Sequence, residues 1–182
     1  MSGLLSGREL FEKIKKLIEQ AEFVYVLTQN FGALKGTTLE IVSLLIDKRR
    51  SGKNVVVVMR NVLEYRFALM NYKVARVLLQ NNIDVYVNPE IHTKMILTDC
   101  GVYLGSANIS SRLQSKYEVG VIITEPDKLR NYIVYVNSIL ADKKTIRANL
   151  SNLESVFGIQ PEKKVKVSEE KSPLDERLFI LF

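Results

Sequence analysis

The feature that most constrains this chain is a run of four consecutive valines, Val55–Val58, between Asn54 and Met59. A strand with one face in solvent alternates apolar and polar residues, whereas an unbroken β-branched run is typical of a strand covered on both faces. Covering both faces of a sheet requires helices on each side, as in α/β proteins. The valine run therefore predicts a central sheet buried between helices.

The segments around this run alternate between strand and helix patterns. The capping-box spacing of Ser6 and Glu9 predicts the start of a first helix, and Pro126 predicts the start of a last one. Helices are also predicted at 38–50 and 64–80, and strands at 23–27, 54–59, 83–87, 94–98, 102–104 and 117–124. This order predicts an α/β/α sandwich with a mixed, mostly parallel sheet flanked by helices and one antiparallel hairpin at 94–104.

The composition changes after about residue 158 and divides the chain into residues 1–158, a domain with a sizeable core, and residues 159–182, a charged linker followed by an apolar tail. The linker is rich in Lys, Glu and Ser and has little to bury. The terminal Leu-Phe-Ile-Leu-Phe run is poorly suited to solvent, so we expect it to dock on its own domain or on a protein partner.

The charge and residue inventory narrows the possible partners and compartments. Lys and Arg outnumber Asp and Glu by 26 to 20, an excess that favours a polyanionic partner such as nucleic acid. The single Cys100 allows no intramolecular disulfide, and the single histidine excludes a histidine-rich metal site within one chain. Because no apolar run approaches the roughly 18 residues of a membrane span, and the amino terminus does not look like a signal peptide, we expect a cytoplasmic protein.

A cluster of polar groups around the only histidine predicts phosphate chemistry. His92 and Lys94 are separated by one residue and would face the same side of an extended segment. A tight turn at Asp99–Gly101 would return Ser106 and Asn108 to the same neighbourhood. An ammonium, an amide and a hydroxyl around a neutral imidazole suit attack on phosphorus, and no carboxylate cluster accompanies them, which predicts a reaction without metal or cofactor.

Glu118 follows on the next predicted strand. It could bond the far nitrogen of His92 and so fix the tautomer of the imidazole.

The segment 91–110 resembles the HKD motif of the phospholipase D superfamily, His-x-Lys-x4-Asp followed by Gly-Ser-x-Asn. The matching residues are His92, Lys94, Asp99, Gly105, Ser106 and Asn108. Tyr117–Gly120 resembles the acidic strand that follows the motif, and the resemblance spans roughly residues 5–142. It implies that Asp99 supports the site from behind. Five residues separate Asp99 from Gly105, one fewer than in the family pattern, so we expect Ser106 to be rotated relative to His92.

The family builds each site from two such motifs, and this chain has one. Its resemblance to small single-motif members implies a homodimer in which one His92 forms a phosphohistidine and His92 of the partner subunit protonates the leaving oxygen. A two-fold interface brings a near-axis residue against its own copy. Lys94 and Asn108 of both subunits would then clamp the phosphoryl oxygens.

The sequence is compatible with three functions. The first is a nuclease with little base preference, whose backbone-binding rim is predicted to be Lys48, Arg49, Arg50, Lys53 and Arg60. The second is a lipid phosphodiesterase or phosphatidyl transferase, for which the Phe31–Leu34 loop offers a small apolar mouth. The third is a nucleic-acid-binding or assembly module with weak or lost activity, whose tail recruits a partner.

Overall fold

The valine run forms β3 (Asn54–Met59), in which every residue after Asn54 is buried. It pairs in parallel with β2 (Phe23–Thr28) and β4 (Asp84–Val87). The computed structural model describes residues 4–61 and 64–159 of the chain. The predicted linker and tail, apart from Ile159, lie outside the described residues, so the proposed division at 158 stays a prediction.

Within these residues the sheet has eight strands, in the order β1-β7-β6-β5-β2-β3-β4-β8. The other five strands are β1 (Leu5–Ser6), β5 (Met95–Thr98), β6 (Val102–Gly105), β7 (Val119–Ile123) and β8 (Ile146–Arg147). The predicted α/β sandwich is confirmed, but the prediction of a mostly parallel sheet is wrong. Among the strands of the described residues, only the pairs β2–β3 and β3–β4 are parallel. The three-residue turn between β5 and β6 forces those two strands to pair antiparallel, and β7, which returns after a longer connection, and both edge strands are antiparallel to their neighbours as well.

The helices divide unequally between the two faces of the sheet. They are α1 (Gly7–Gln20), α2 (Gly36–Arg50), α3 (Tyr65–Gln80), α4 (Pro126–Ala141) and α5 (Leu153–Phe157). The larger core lies between the sheet and α1, α2, α3 and α5, whereas α4 supplies the helical residues of the smaller core on the other face. Within the described ranges, no helix is long and apolar enough to cross a bilayer.

Chain direction gives the sheet two chemically distinct edges. The site edge is where β2, β3 and β4 finish, at Thr28, Met59 and Val87. The far edge is where the same strands begin. Because β5 runs antiparallel to β2 with Met95 opposite Leu27, the residues before Met95 lie at the site edge and those after Thr98 lie at the far edge.

Candidate active site

His92 and Lys94 lie at the site edge, in the extended segment that leads into β5. Buried Ile91 and Met95 anchor this segment, which leaves His92 exposed between them. The Lys94 Nζ atom donates a hydrogen bond to the His92 carbonyl oxygen at 2.8 Å and lies 3.4 Å from Nδ1 of the ring. Desolvation lowers the pKa of Lys94, although the charge of Glu118 acts in the opposite direction. The structure thus holds a partly desolvated ammonium beside an accessible imidazole.

The antiparallel pairing of β5 and β6 returns the second half of the motif to this place. The Gly105 N–H donates to the Lys94 carbonyl oxygen at 3.2 Å, which brings Ser106 next to the histidine segment. Asn108 follows between buried Ala107 and Ile109, and its Oδ1 accepts a long hydrogen bond of 3.5 Å from Thr28 Oγ1. Its amide nitrogen has no partner among the described residues and remains available as a donor.

Glu118 has a different neighbour from the one expected. Its carboxylate accepts a hydrogen bond from Ser106 Oγ, whereas the sequence suggested a bond to His92. Ser106 Oγ in turn accepts from the Val119 N–H at 3.1 Å. Within one described chain, Glu118 therefore positions Ser106, and no bond from Glu118 reaches the imidazole.

The glycine of the Gly-Ser-x-Asn segment is required by a buried tyrosine. Tyr103 is 1% exposed, and a Cβ atom on either Gly105 or Gly120 would overlap its ring. Burial, followed by the charge of Glu118, raises the pKa of Tyr103 to about 12, so the ring stays neutral. Because Gly105 has no side chain, the backbone can pass directly against the Tyr103 ring before it reaches Ser106.

Asp99 does not lie in the site. It follows Thr98 at the far edge and accepts the backbone N–H groups of Glu22 at 2.7 Å and Phe23 at 3.4 Å. Although desolvation favours the protonated form, these donors lower the pKa of Asp99. The carboxylate fastens the β5–β6 turn to the start of β2, which agrees with a supporting role and excludes direct contact with a phosphate at His92.

The basic residues predicted as a substrate rim do not lie together, and most of them lie at the opposite edge of the sheet from His92. Four lie at the far edge because α2 ends there before the chain enters β3; these are Lys48, Arg49, Arg50 and Lys53. Lys48 Nζ donates to the carbonyl oxygens of Glu19 and Ala21, and Lys53 pairs with Glu22 at 2.5 Å. Arg49 donates to Asn82 O at 2.8 Å and Arg50 to Asn81 Oδ1 at 3.3 Å.

Arg60, the fifth predicted rim residue, follows β3 at the site edge. Its Nε atom is buried without a hydrogen-bond partner among the described residues.

A groove of about 610 Å³ opens at the site edge and includes Ser106, Asn108 and Glu118 in its lining. Its other walls are the loop after β2, the first turns of α2 and α3, and a 3₁₀ turn at Ser111–Gln114. The volume falls within the range of clefts that receive small ligands. The groove is therefore lined both by motif residues and by residues from other segments of the chain.

Three exposed cations line this groove: Lys35, Arg66 and Arg112. No ion pair within residues 4–61 and 64–159 involves them. These cations are scattered over three segments, so no local pattern in the sequence marks them as a group. The rule that ligands bind beyond the carboxyl ends of parallel strands would have identified Lys35, which lies in the loop after β2. The same described ranges contain no group of three or more His, Cys, Asp or Glu side chains placed to hold a metal ion.

Solved structures with the same fold include two whose whole length matches this domain. Nuc from Salmonella typhimurium, described as a phospholipase D family member, is 15% identical with a TM-score of 0.64, over 82% of this chain and 99% of Nuc. NucT from Helicobacter pylori is 16% identical with a TM-score of 0.66, over 81% of this chain and 99% of NucT. Phosphatidylserine synthase from Haemophilus influenzae is 18% identical with a TM-score of 0.61, over 90% of this chain and 44% of that one.

Sequence comparison gives the family directly. No curated protein sequence matches the chain. The family model described as "Cardiolipin synthase, PLD-like domain" matches residues 14–140, which is more than half of the chain and includes every residue from His92 to Glu118. The chain therefore belongs to the phospholipase D superfamily.

Proposed function

We propose that this protein is a metal-independent phosphodiesterase that cleaves nucleic-acid backbones through a phosphohistidine, at a site shared by two subunits of a homodimer. The observation that carries the proposal is the exposed imidazole of His92 beside the Lys94 ammonium, next to a groove with three cations that have no ion-pair partner among the described residues. An accessible imidazole with fixed cationic and amide donors is suited to attack on a phosphodiester.

The proposed reaction has two steps. A ring nitrogen of one His92 attacks phosphorus, a P–N bond forms, the P–O bond to the leaving group breaks, and His92 of the partner subunit gives its proton to the leaving oxygen. That second imidazole then takes a proton from water, whose oxygen attacks phosphorus and breaks the P–N bond. Lys94 and Asn108 supply a cation and an amide donor for the nonbridging oxygens, which are most negative in the transition state.

The charge of the groove favours nucleic acid as the substrate. Phosphodiester backbones present repeated negative charges, and cations along a groove bind them without reading sequence. Lys35, Arg66 and Arg112 supply such charges on the walls that extend away from the motif. A phospholipid molecule carries one or two phosphodiesters, so it offers far fewer phosphate contacts than a nucleic-acid strand to cations spread along a groove.

The helix α4, which packs on the smaller core, offers a surface for the proposed dimer. The Tyr135 hydroxyl on α4 lies 2.8 Å from Thr93 Oγ1, so this helix stands next to the histidine segment. A second, largely apolar groove of about 480 Å³ runs between Thr93, Leu104 and Tyr132 on that face. A second copy of the chain docked there would bring the two His92 segments together, as the two-histidine reaction requires.

The nuclease assignment is tested with plasmid and single-stranded DNA in excess EDTA. We expect cutting that resists the chelator and disappears in His92→Ala. Cutting that survives in His92→Ala, or that stops with EDTA and returns with a divalent cation, would remove the proposed chemistry. Salt-sensitive DNA retention without any cutting would instead identify a binding or assembly module.

Lipid phosphodiester chemistry is the second candidate, because the apolar groove beside Thr93 can take an acyl chain. The mouth predicted from the Phe31–Leu34 loop does not support it, since Phe31 is fully buried. Headgroup release from phospholipid vesicles, abolished by His92→Ala in a protein that leaves DNA intact, would favour this candidate over the nuclease.

A further inference from the structure

We propose that the groove beside the site binds nucleic acid in single-stranded form, with the ring of Phe67 stacked on a base. This inference rests on the proposed function, because it names the form of nucleic acid that the site receives. It goes beyond that function in assigning a binding role to residues outside the motif.

Two aromatic side chains are exposed where α3 begins. Tyr65 and Phe67 are 39% and 38% exposed, and Phe67 lines the groove between Arg66 and Met70. The core face of α3 is made by other residues, which are Ala68, Asn71, Tyr72, Val74, Ala75 and Leu78. Phe67 lies outside this core face, and the part of its side chain that stays in water is exposed at a cost in free energy. An apolar planar ligand would remove that cost.

Cations surround this ring on several walls of the groove. Arg66 is its chain neighbour, Lys35 precedes α2, and Arg112 lies on the 3₁₀ turn. Aromatic platforms for bases within a positively charged groove are the shared features of proteins that bind single strands. In a duplex the base faces are already stacked on each other, so phosphates alone would be recognised and Phe67 would have no partner.

A buried asparagine holds the groove walls at a fixed separation. Asn71 is fully buried on α3, one turn after Phe67. Its Oδ1 accepts the Phe31 N–H at 2.7 Å, and its Nδ2 donates to the carbonyl oxygens of Gln29 and Arg60 at 3.1 and 2.8 Å. These bonds tie α3 to the ends of β2 and β3. The stacking platform is thus preorganised relative to the motif, which lowers the entropy lost on binding.

The test measures binding to the full chain carrying His92→Asn, in EDTA, so that no ligand is consumed. The ligands are fluorescent oligo(dT) of about 12 nucleotides, an abasic strand with the same phosphates, and a duplex of the same length. Phe67→Ala removes the ring and Phe67→Trp retains it. Arg66→Gln removes a groove cation, and Arg76→Gln removes an exposed charge on the same helix outside the groove. Thermal unfolding of each variant establishes that it is folded, and Phe67→Leu replaces Phe67→Ala if the latter is not.

We expect oligo(dT) to bind more tightly than the duplex, and Phe67→Ala to weaken oligo(dT) binding by about tenfold while leaving the abasic strand unaffected. Phe67→Trp should bind like the parent, and Arg66→Gln should weaken both strands whereas Arg76→Gln changes neither. Equal loss for both strands in Phe67→Ala, no loss in either, equal duplex binding, or no binding of oligo(dT) would overturn the inference. A protein that binds in the expected way but cleaves nothing when His92 is present would leave this inference standing and overturn the proposed function.

Discussion

Basic side chains gather at both edges of the sheet, and the two groups differ in what they already bind. At the far edge, Lys48 is satisfied by two backbone carbonyl oxygens, and Lys53 is paired with Glu22. At the site edge, Lys35, Arg66 and Arg112 are exposed and take part in no ion pair of the described residues. The far-edge cations complete a helix end, where positive charge is favourable, and the site-edge cations remain available to a ligand.

A run of consecutive basic residues in the sequence is therefore a poor guide to a binding surface. Lys48, Arg49 and Arg50 attract attention because they are consecutive, but they are consecutive because they end one helix. The groove cations come from three separate segments. Charge becomes available for binding when the fold leaves it without an internal partner.

The largest expected difference between the edges is catalytic. Lys94→Met should lower kcat/KM for DNA cleavage by about 10²- to 10³-fold, because a fixed cation at the phosphoryl oxygens is lost. Lys48→Met, which removes the same charge at the far edge, should leave kcat/KM unchanged. Similar losses in the two variants, measured by initial rates at low salt, would mean that the edges are not functionally distinct.

The salt dependence of DNA binding should also differ between the site-edge and far-edge cations. A variant in which Lys35, Arg66 and Arg112 are all changed to Gln should show a smaller salt dependence. The slope of log K for DNA binding against log salt should fall by about 2 to 3, since each cation releases counterions from a phosphate. The matched far-edge triple, Lys48, Arg49 and Lys53 to Gln, should retain the parent slope. Fluorescence anisotropy across a salt series gives both slopes, and a reduced slope in the far-edge triple would contradict the assignment.

The free energy of unfolding should depend more on the far-edge cations than on the site-edge cations. Lys48→Met should lower the free energy of unfolding by about 1 to 2 kcal/mol, because charged hydrogen bonds to Glu19 O and Ala21 O are lost at a partly exposed position. Lys35→Met should change it by less than about 0.5 kcal/mol. Urea titration of both variants provides the measurement, and an equal cost would show that Lys48 is as free as Lys35.

The smallest effect concerns Asp99 and is pH-dependent. Desolvation raises the Asp99 pKa, but the hydrogen bonds that its carboxylate accepts, from the Glu22 N–H above all, together lower it below its usual 3.8. The stabilisation by Asp99 is therefore fully present above that pH and is lost as pH falls through the lower folded value. Asp99→Asn should therefore cost about 1 kcal/mol at neutral pH and much less in acid. A cost that is the same at both pH values would rule out the ionised carboxylate as its source.

The fold was predictable to the extent that local patterns determine it. The Val55–Val58 run and the periodic helices give the sandwich, and each predicted strand and helix is present with boundaries close to those expected. Strand direction was not predictable from the same patterns. Nothing local to β5, β6 and β7 distinguishes a parallel from an antiparallel neighbour except the short turn between β5 and β6. The edge strands β1 and β8 have two residues each, too few for a periodic signal.

The site was predictable where its residues are close in sequence. His92, Lys94, Ser106 and Asn108 come from one hairpin, so their proximity follows from the turn between them. The Ser106–Glu118 hydrogen bond depends on how β7 pairs with β6 and could not be predicted from spacing. The groove cations and the role of Asn71 could not be predicted either, because both depend on contacts between segments that are distant in sequence.

Covalent trapping tests the central claim most directly. A radiolabelled oligonucleotide mixed with enzyme and quenched in alkali within one turnover should leave label on the protein, stable to base and released by acid, as expected for a phosphoramidate. Peptide mapping should place it on His92, and His92→Ala should retain none. A wild-type enzyme that cleaves rapidly yet never carries label, or that carries it on another residue, would contradict a phosphohistidine at this edge of the sheet.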